Sequence, residues 1–269
     1  MSDRLTLHGG NVALDQFVAS DVRDKRAIIA LNRAKRNMRV QVLDRRAIRV
    51  PCKSGAEGGI ASVVHRVLCA SNNRKKVREL TSILQRVSGA VVVTPADLGI
   101  RLEVEEIGSS FAENATLKAE TFLRASGELT VADDSGLVVD ALRGAPGVYS
   151  ARYGGAGRSD DDRNELVLAN LHDVPDEART ARFVCAIAVA VHGTETKIFE
   201  GTVEGAITRH AIGGYGFGYD PIFYYAPFER TFGQVDADLK ATVSHRGNAL
   251  RQAAPYLCSF LADDIIEEY

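Results

Sequence analysis

The sequence predicts an α/β fold whose sheet is not purely parallel. Short apolar runs alternate with segments in which apolar residues recur at helical spacing, the pattern of strands and helices sharing one core. Two long apolar runs, 179–193 and 196–208, follow one another with only a short connection at Gly193. A parallel pair needs a crossover of a dozen or more residues, so these two runs are expected to pair antiparallel.

The elements follow in order from Arg66. RVLCAS at 66–71 reads as a short strand, and from Lys75 the residues Val77, Leu80, Leu84 and Val87 fall on one helical face. SFAENATLKAETFLRA, 110–125, reads as a second helix, and Ser110 with Glu113 has the spacing of a capping box, in which the Glu reaches back to the cap amide. The strand LTVADD, 129–134, comes next, and the antiparallel pair follows it. No internal repeat or low-complexity tract is evident.

The chain has 269 residues, 45% of them hydrophobic, enough for a substantial core. Two regions are expected: a basic extension ending in a glycine-rich linker (1–64) and the main domain (65–269). Residues 1–64 hold 12 Lys/Arg against 6 Asp/Glu, and 65–269 hold 21 against 29. An acidic main domain argues against a nucleic-acid partner, which needs clustered positive charge. The extension contains a basic stretch, Val22 to Arg49, and then KSGAEGGIAS at 53–62; whether the basic piece is helical or extended is open. No run of 18 apolar residues and no signal-peptide pattern occurs, so a cytoplasmic protein without a membrane span is expected. Cys52, Cys69, Cys185 and Cys258 lack metal-ligand spacing, and Cys69 and Cys185 sit in apolar runs, where a free thiol behaves as a small hydrophobe.

Five segments carry chemistry. ASNNRKK at 70–76 joins a strand to a helix start, where free N–H groups and the helix dipole favour an anion and Lys75 and Lys76 add charge. On the second helix, Glu113, Asn114 and Lys118 bring a carboxylate, an amide and an ammonium together, although a plain cap is the simpler role for Glu113. Asp133 and Asp134 are adjacent carboxylates at the expected end of an apolar strand; like charges repel, so a bound cation is expected, and oxygen ligands favour magnesium. GGYGFGYDPIF, 213–223, is a glycine-rich turn bearing Phe217, Tyr219 and Asp220, where an aromatic can stack on a base. Lys240 and Ser244-His245-Arg246-Gly247 form the fifth; a lone His–Arg pair is more often surface than site.

Taken in this order, the segments resemble the inosine-triphosphatase-like family of noncanonical purine NTP pyrophosphatases, RdgB-like in its bacterial members. The resemblance spans Arg66 to about Leu261, and its most specific pieces are ADDSGL with GAPGVYSARY behind it, FGYDPIF and SHRGNAL. It implies a long mixed twisted sheet with flanking helices forming two lobes around an active-site cleft, a homodimer, and Mg2+ as cofactor. It assigns the phosphate- and substrate-contacting loop to Ser71, Asn72, Asn73, Arg74, Lys75 and Lys76. It makes Glu113 and Asp134 metal ligands, Asp134 also the proton acceptor, and Ser135 a substrate contact. Phe217, Gly218, Tyr219, Asp220, Lys240, His245 and Arg246 take the base-binding positions. The first loop reads Ser71-Asn72-Asn73 where the family commonly has T-G-N, keeping the hydroxyl and the second Asn.

The implied reaction is attack of water on the α-phosphorus of ITP, dITP or XTP, with pyrophosphate leaving in one step. Two alternatives stand beside it: a Maf-like pyrophosphatase acting on pyrimidine or modified nucleotides, against which the SHR segment argues, and an RNA-binding protein that senses nucleotide and uses its basic extension.

Overall fold

A computed structural model describes residues 66–88 and 90–261, with only the helical backbone at 87 and 88. The expected basic extension and linker, Cys52 and the side chain of Val87 lie outside the described residues. Seven strands are described: β1 (Arg66–Cys69), β2 (Val91–Val93), β3 (Leu129–Val139), β4 (Thr180–Ala190), β5 (Lys197–Ile207), β6 (Phe223–Tyr225) and β7 (Arg230–Thr231). They form one sheet in the order β2-β1-β3-β4-β5-β6-β7. The β2-β1-β3 end is parallel and every later pair is antiparallel, so the sheet is mixed as the sequence predicts. The helices are α1 (Arg74–Ser88), α2 (Phe111–Ser126), α3 (Asp160–Asn170), α4 (Ala237–Val243) and α5 (His245–Leu261).

Alternation along the long strands sorts the core. On β4, Cys185, Ile187 and Val189 join one cluster with Leu80 and Leu84 of α1 and Leu250 and Leu257 of α5. The intervening Ala186, Ala188 and Ala190 join another with Ala115, Ala119 and Phe122 of α2. A period of two sends successive side chains to opposite faces, so α1 and α5 cover one face and α2 the other. Small alanines on the second face let α2 approach closely. Beyond this region β3 and β4 continue into a third cluster, where Leu137, Val139 and Phe183 meet Phe223 and Phe232. Each fully buried Leu, Ile or Phe of these clusters contributes about 1.5–3 kcal/mol.

Two expectations change here. The strand read as 129–134 continues to Val139, so Asp133 and Asp134 are mid-strand, not at a strand end. The polar run looked like a terminus because buried carboxylates break apolar alternation; partners from other elements allow the strand to continue. The capping box is also altered: Ser110 caps α2 by accepting from Glu113 N at 3.1 Å, but the Glu113 carboxylate accepts from Ser109 N at 2.7 Å and Ser109 Oγ at 2.9 Å. The close spacing of α5 and β5 depends on Gly201, where a Cβ would overlap the His245 carbonyl and the Ala249 amide.

Candidate active site

The centre of β3 is the hub of the site. Successive side chains leave a strand on opposite faces, so Asp133 faces α1 and α5 while Asp134 faces α2. The two adjacent carboxylates therefore make their direct contacts with different side chains, Asp133 with Lys76 and Arg246 and Asp134 with Asn114 and Lys118.

On the first face, Arg246 at the start of α5 is 1% exposed and Asp133 1%. The guanidinium donates to Asp133 Oδ2 from Nε at 3.2 Å and from Nη2 at 3.0 Å, to Ser135 Oγ from Nη2 at 2.8 Å, and to the Glu79 carboxylate from Nη1. Lys76 Nζ lies 3.2 Å from Asp133 Oδ2, and Lys240 Nζ lies 2.7 Å from Asp220 Oδ2 and 3.5 Å from Glu79 Oε1. Three cations thus face three carboxylates, Glu79, Asp133 and Asp220, out of water. Burial alone would raise the Asp133 pKa, but Lys76, Arg246 and Lys118 hold it far below the carboxylate range. Burial likewise opposes charge on Lys240, and Asp220 and Glu79 outweigh it, raising its pKa. Burial raises the pKa of Asp220, and Lys240 opposes that rise. Removing one member of such a network leaves the others buried without their partner.

The Phe217 ring sits against this cluster, its centroid 5.1 Å from Lys240 Nζ, 5.9 Å from Arg246 Cζ and 6.0 Å from Lys75 Nζ. Asp220 shapes the glycine-rich loop by accepting from Phe217 N at 2.8 Å. Tyr219 is 4% exposed, packs in the cluster around Phe223, and donates its hydroxyl to Ser150 O at 2.8 Å. That bond gives GAPGVYSARY a function in the fold, since Ser150 Oγ also accepts from Leu137 N at 2.9 Å. His245, 4% exposed, stacks on Phe183 with centroids 4.8 Å apart, and its Nδ1 has no hydrogen-bond partner among the described residues. Burial, with Arg246 and Lys240 nearby, holds its pKa well below the usual value. Both members of the His–Arg pair are buried.

The phosphate-loop residues surround the start of α1. Asn73 Oδ1 accepts from Lys75 N at 3.0 Å and Lys76 N at 3.3 Å, a side-chain cap on a helix whose first turn has no acidic residue. Asn73 N donates to Ser71 Oγ at 3.3 Å, Asn72 Nδ2 donates to Leu102 O at 3.0 Å, and Arg74 is exposed. Lys75 reaches Asp160 Oδ2 at 2.9 Å while Lys76 turns inward to Asp133. The two lysines are thus held by different acids, Lys75 by Asp160 and Lys76 by Asp133.

On the second face, Asp134 Oδ2 accepts from Asn114 Nδ2 at 3.1 Å, and Asp134 Oδ1 lies 3.5 Å from Lys118 Nζ. The same ammonium donates to Glu106 Oε1 at 2.9 Å, and Arg152 Nη1 donates to Glu106 Oε2 at 3.1 Å. Burial raises the Asp134 pKa, Lys118 and Lys76 oppose that rise, and Glu106 reinforces it. Asp134 is therefore a stronger base than a solvated aspartate. Glu113 is not in this cluster; its carboxylate is exposed and bonded to Ser109.

The sequence reading passed over Glu79, Glu106, Arg152, Asp160 and Asn164. Glu79 follows Lys76 by three residues on a helix, so the helical period alone places the two on one face. Glu106 and Asp160 lie in acidic runs, and nothing local distinguishes one carboxylate of such a run from its neighbours.

Comparison with known proteins agrees with this geometry. The sequence profile of the Ham1 family matches residues 67–256. A dITP/XTP pyrophosphatase of Listeria monocytogenes is 45% identical over 187 residues, covering 70% of this chain and 92% of the relative. The protein of the same name from Bacillus subtilis is 44% identical over 195 residues, covering 72% and 98%. Among solved structures, the Staphylococcus aureus Ham1 protein superposes with a TM-score of 0.65 at 40% identity, covering 72% of this chain and 99% of that one. The nucleoside-triphosphatase, or dITP/XTP pyrophosphatase, of Mycobacterium abscessus gives 0.58 at 44% identity, covering 71% and 99%. With the family profile matching residues 67–256 and relatives 45% identical over 70% of its length, the chain belongs to the Ham1 family.

Proposed function

We propose that this chain is a nucleoside triphosphate pyrophosphatase that converts noncanonical purine triphosphates, dITP, ITP and XTP among them, to the monophosphate and pyrophosphate. The observation that carries the reading is the division of labour on β3. Asp133 anchors a fixed cationic cluster beside an aromatic ring, while Asp134, one residue on, is a basic carboxylate facing the opposite side. The relatives that align over nearly their whole length bear the name of this activity.

In this reading Asp134 accepts the proton of the attacking water, and Asn114 and Lys118 hold its carboxylate in place. Lys76 at the start of α1 receives the negative charge of the phosphates, where its ammonium stabilises the leaving pyrophosphate. Phe217 supplies a face for the purine. Hypoxanthine and xanthine carry an acceptor oxygen at C6, where adenine has an amino donor. A fixed donor from His245 or Arg246 pairs with the first and meets a donor in the second, a difference of about 1–3 kcal/mol. Because Arg246 is tethered to Asp133, Glu79 and Ser135, it cannot swing away to accommodate adenine.

For magnesium, the donor set decides the fit. Among the described residues no group of three or more His, Cys, Asp or Glu side chains is placed to hold a metal. Magnesium commonly binds through one or two carboxylates plus substrate phosphates and waters, so two carboxylates suffice. Asp134 and Glu106 already share one cation, the Lys118 ammonium, at 3.5 Å and 2.9 Å. Glu113 bonds Ser109 through Oε2; Asp134 and Glu113, the pair that the resemblance names, would hold Mg2+, with Glu106 beside Asp134 as a further carboxylate. When bound, the ion would neutralise phosphate charge and acidify a coordinated water. The homodimer and the cytoplasmic location are part of the same proposal; no described helix is long and apolar enough to cross a membrane.

Hydrolysis of dITP in heavy-oxygen water tests the reaction. Label recovered in the monophosphate supports attack at the α-phosphorus. Label in pyrophosphate, or release of orthophosphate as the primary product, would remove this reading.

A further inference from the structure

Helix α3 grips the glycine-rich loop at a single peptide residue from both sides. Asp160 Oδ2 accepts from Gly218 N at 3.0 Å, and Asn164 Nδ2 donates to Gly218 O at 3.0 Å. Residues four apart share a helix face, so this pair brackets Gly218 without any distortion of α3. Gly218 has φ of 62°, a conformation that favours glycine, and it directly follows Phe217. Asn164 is 3% exposed, and its own Oδ1 has no partner among the described residues. A buried unsatisfied oxygen is costly, and the core gains nothing from this side chain except the grip on the loop.

The same Asp160 oxygen that holds Gly218 accepts from Lys75 Nζ at 2.9 Å. One carboxylate therefore connects the start of α1 to the loop carrying the aromatic ring, two segments far apart in sequence. Lys75 also lies within 6.0 Å of the Phe217 centroid. The Gly218 amide, Lys75 and Arg163 hold the Asp160 pKa at about 2, against the pull of burial, so the connection is ionised at neutral pH. Lys75 is the more exposed partner, with a side chain 58% accessible, and is the end free to exchange.

We propose that Asp160 and Asn164 are positioning residues: together they fix the Gly218 peptide, and with it the Phe217 ring, while Asp160 holds Lys75 until the triphosphate takes over that ammonium. This rests on the pyrophosphatase reading for its substrate, whereas the grip on the loop can be measured without one.

The test compares the full-length wild type with Asp160→Asn, Asp160→Ala and Asn164→Ala, reading hydrogen exchange across residues 213–220 and steady-state kinetics on dITP and dATP. Asp160→Asn keeps an acceptor oxygen for Gly218 N but removes the charge that competes for Lys75. Loop exchange and the preference for dITP over dATP then stay at the wild-type level, and KM for dITP falls. Either alanine variant speeds exchange in 213–220 and lowers the dITP preference by about tenfold, the scale of one lost hydrogen bond to a fixed group. Asn164→Ala reads the grip even if Asp160→Ala does not fold. The proposal is overturned if the alanine variants leave exchange unchanged, if exchange rises with no loss of preference, or if Asp160→Asn is as damaging as Asp160→Ala. A wild type that does not hydrolyse dITP would instead remove the pyrophosphatase reading, while the exchange data would still decide the grip.

Discussion

At the scale of single residues, neighbours in sequence have opposite duties. Asp133 and Asp134 differ by one peptide, yet Lys76, Arg246 and Lys118 hold the first far below the carboxylate range and burial lifts the second. The proposed reaction assigns proton transfer to the second. Asp134→Asn keeps the shape and the Lys118 contact but loses the affinity for a proton, so kcat for dITP is expected to fall by about a hundredfold or more with KM little changed. Retention of most of the rate would exclude Asp134 as the base. The neighbouring aspartates were visible in the sequence as a chemical signal, but their separation was not. The residue reading took them for a strand terminus because the arginine that neutralises Asp133 lies 113 positions away in the chain.

His245 offers a second residue-scale test. The imidazole is neutral in the folded protein because burial, Arg246 and Lys240 all disfavour its cation. In the unfolded chain it binds a proton near ~6.5. Below that pH the unfolded state holds more protons than the folded one, so stability is lost as pH falls and is regained as pH rises through about 6.5. Thermal unfolding of His245→Gln is expected to show a shallower decline between neutral and mildly acid pH than the wild type. Identical slopes would mean that His245 takes up a proton without unfolding.

At the scale of elements, most of the sheet was legible. Strand β1, helices α1 and α2, and the β4-β5 pair follow from apolar spacing, because each buries a continuous face. Helix α3 was not visible: its first turn is Asp160, Asp161 and Asp162, and it buries only Asn164 and Val167. A helix with so small an apolar face leaves little periodic signal. The SHRG segment was legible as chemistry only through the resemblance, since one His–Arg pair by itself says nothing of the acids waiting for it. Its placement depends on α5 lying close over β5, which Gly201 permits. Gly201→Ala inserts a methyl against the His245 carbonyl, and forced overpacking costs about 1–3 kcal/mol. The expected result in calorimetry and kinetics is a lowered melting temperature together with a reduced dITP preference, because Arg246 rides on the displaced helix. A loss of stability with full preference would show that α5 does not set the base site.

At the scale of the whole molecule, the sheet carries two regions of packing along one pair of strands. The middle of β3 lies between the cluster under α1 and α5 and the aromatic cluster around Phe183, Phe223 and Phe232. Polar side chains survive there because each finds a partner from another element. The two faces also balance their own charge: the three cations and three carboxylates on one face, and Lys118 and Arg152 against Asp134 and Glu106 on the other. A triphosphate entering this balanced cleft brings excess negative charge, which makes a divalent cation part of the expected chemistry. Cys69 and Cys185, with burial pushing both thiols up to about 12, take no part in it, in line with their apolar sequence context.

The most direct test of the central claim is kcat/KM of the purified protein with Mg2+ on dITP, XTP, dGTP, dATP and dTTP, with pyrophosphate scored separately from orthophosphate. The account predicts pyrophosphate release and a strong preference for dITP and XTP over the other three. Equal turnover of dATP, or a preference for dTTP, would contradict it.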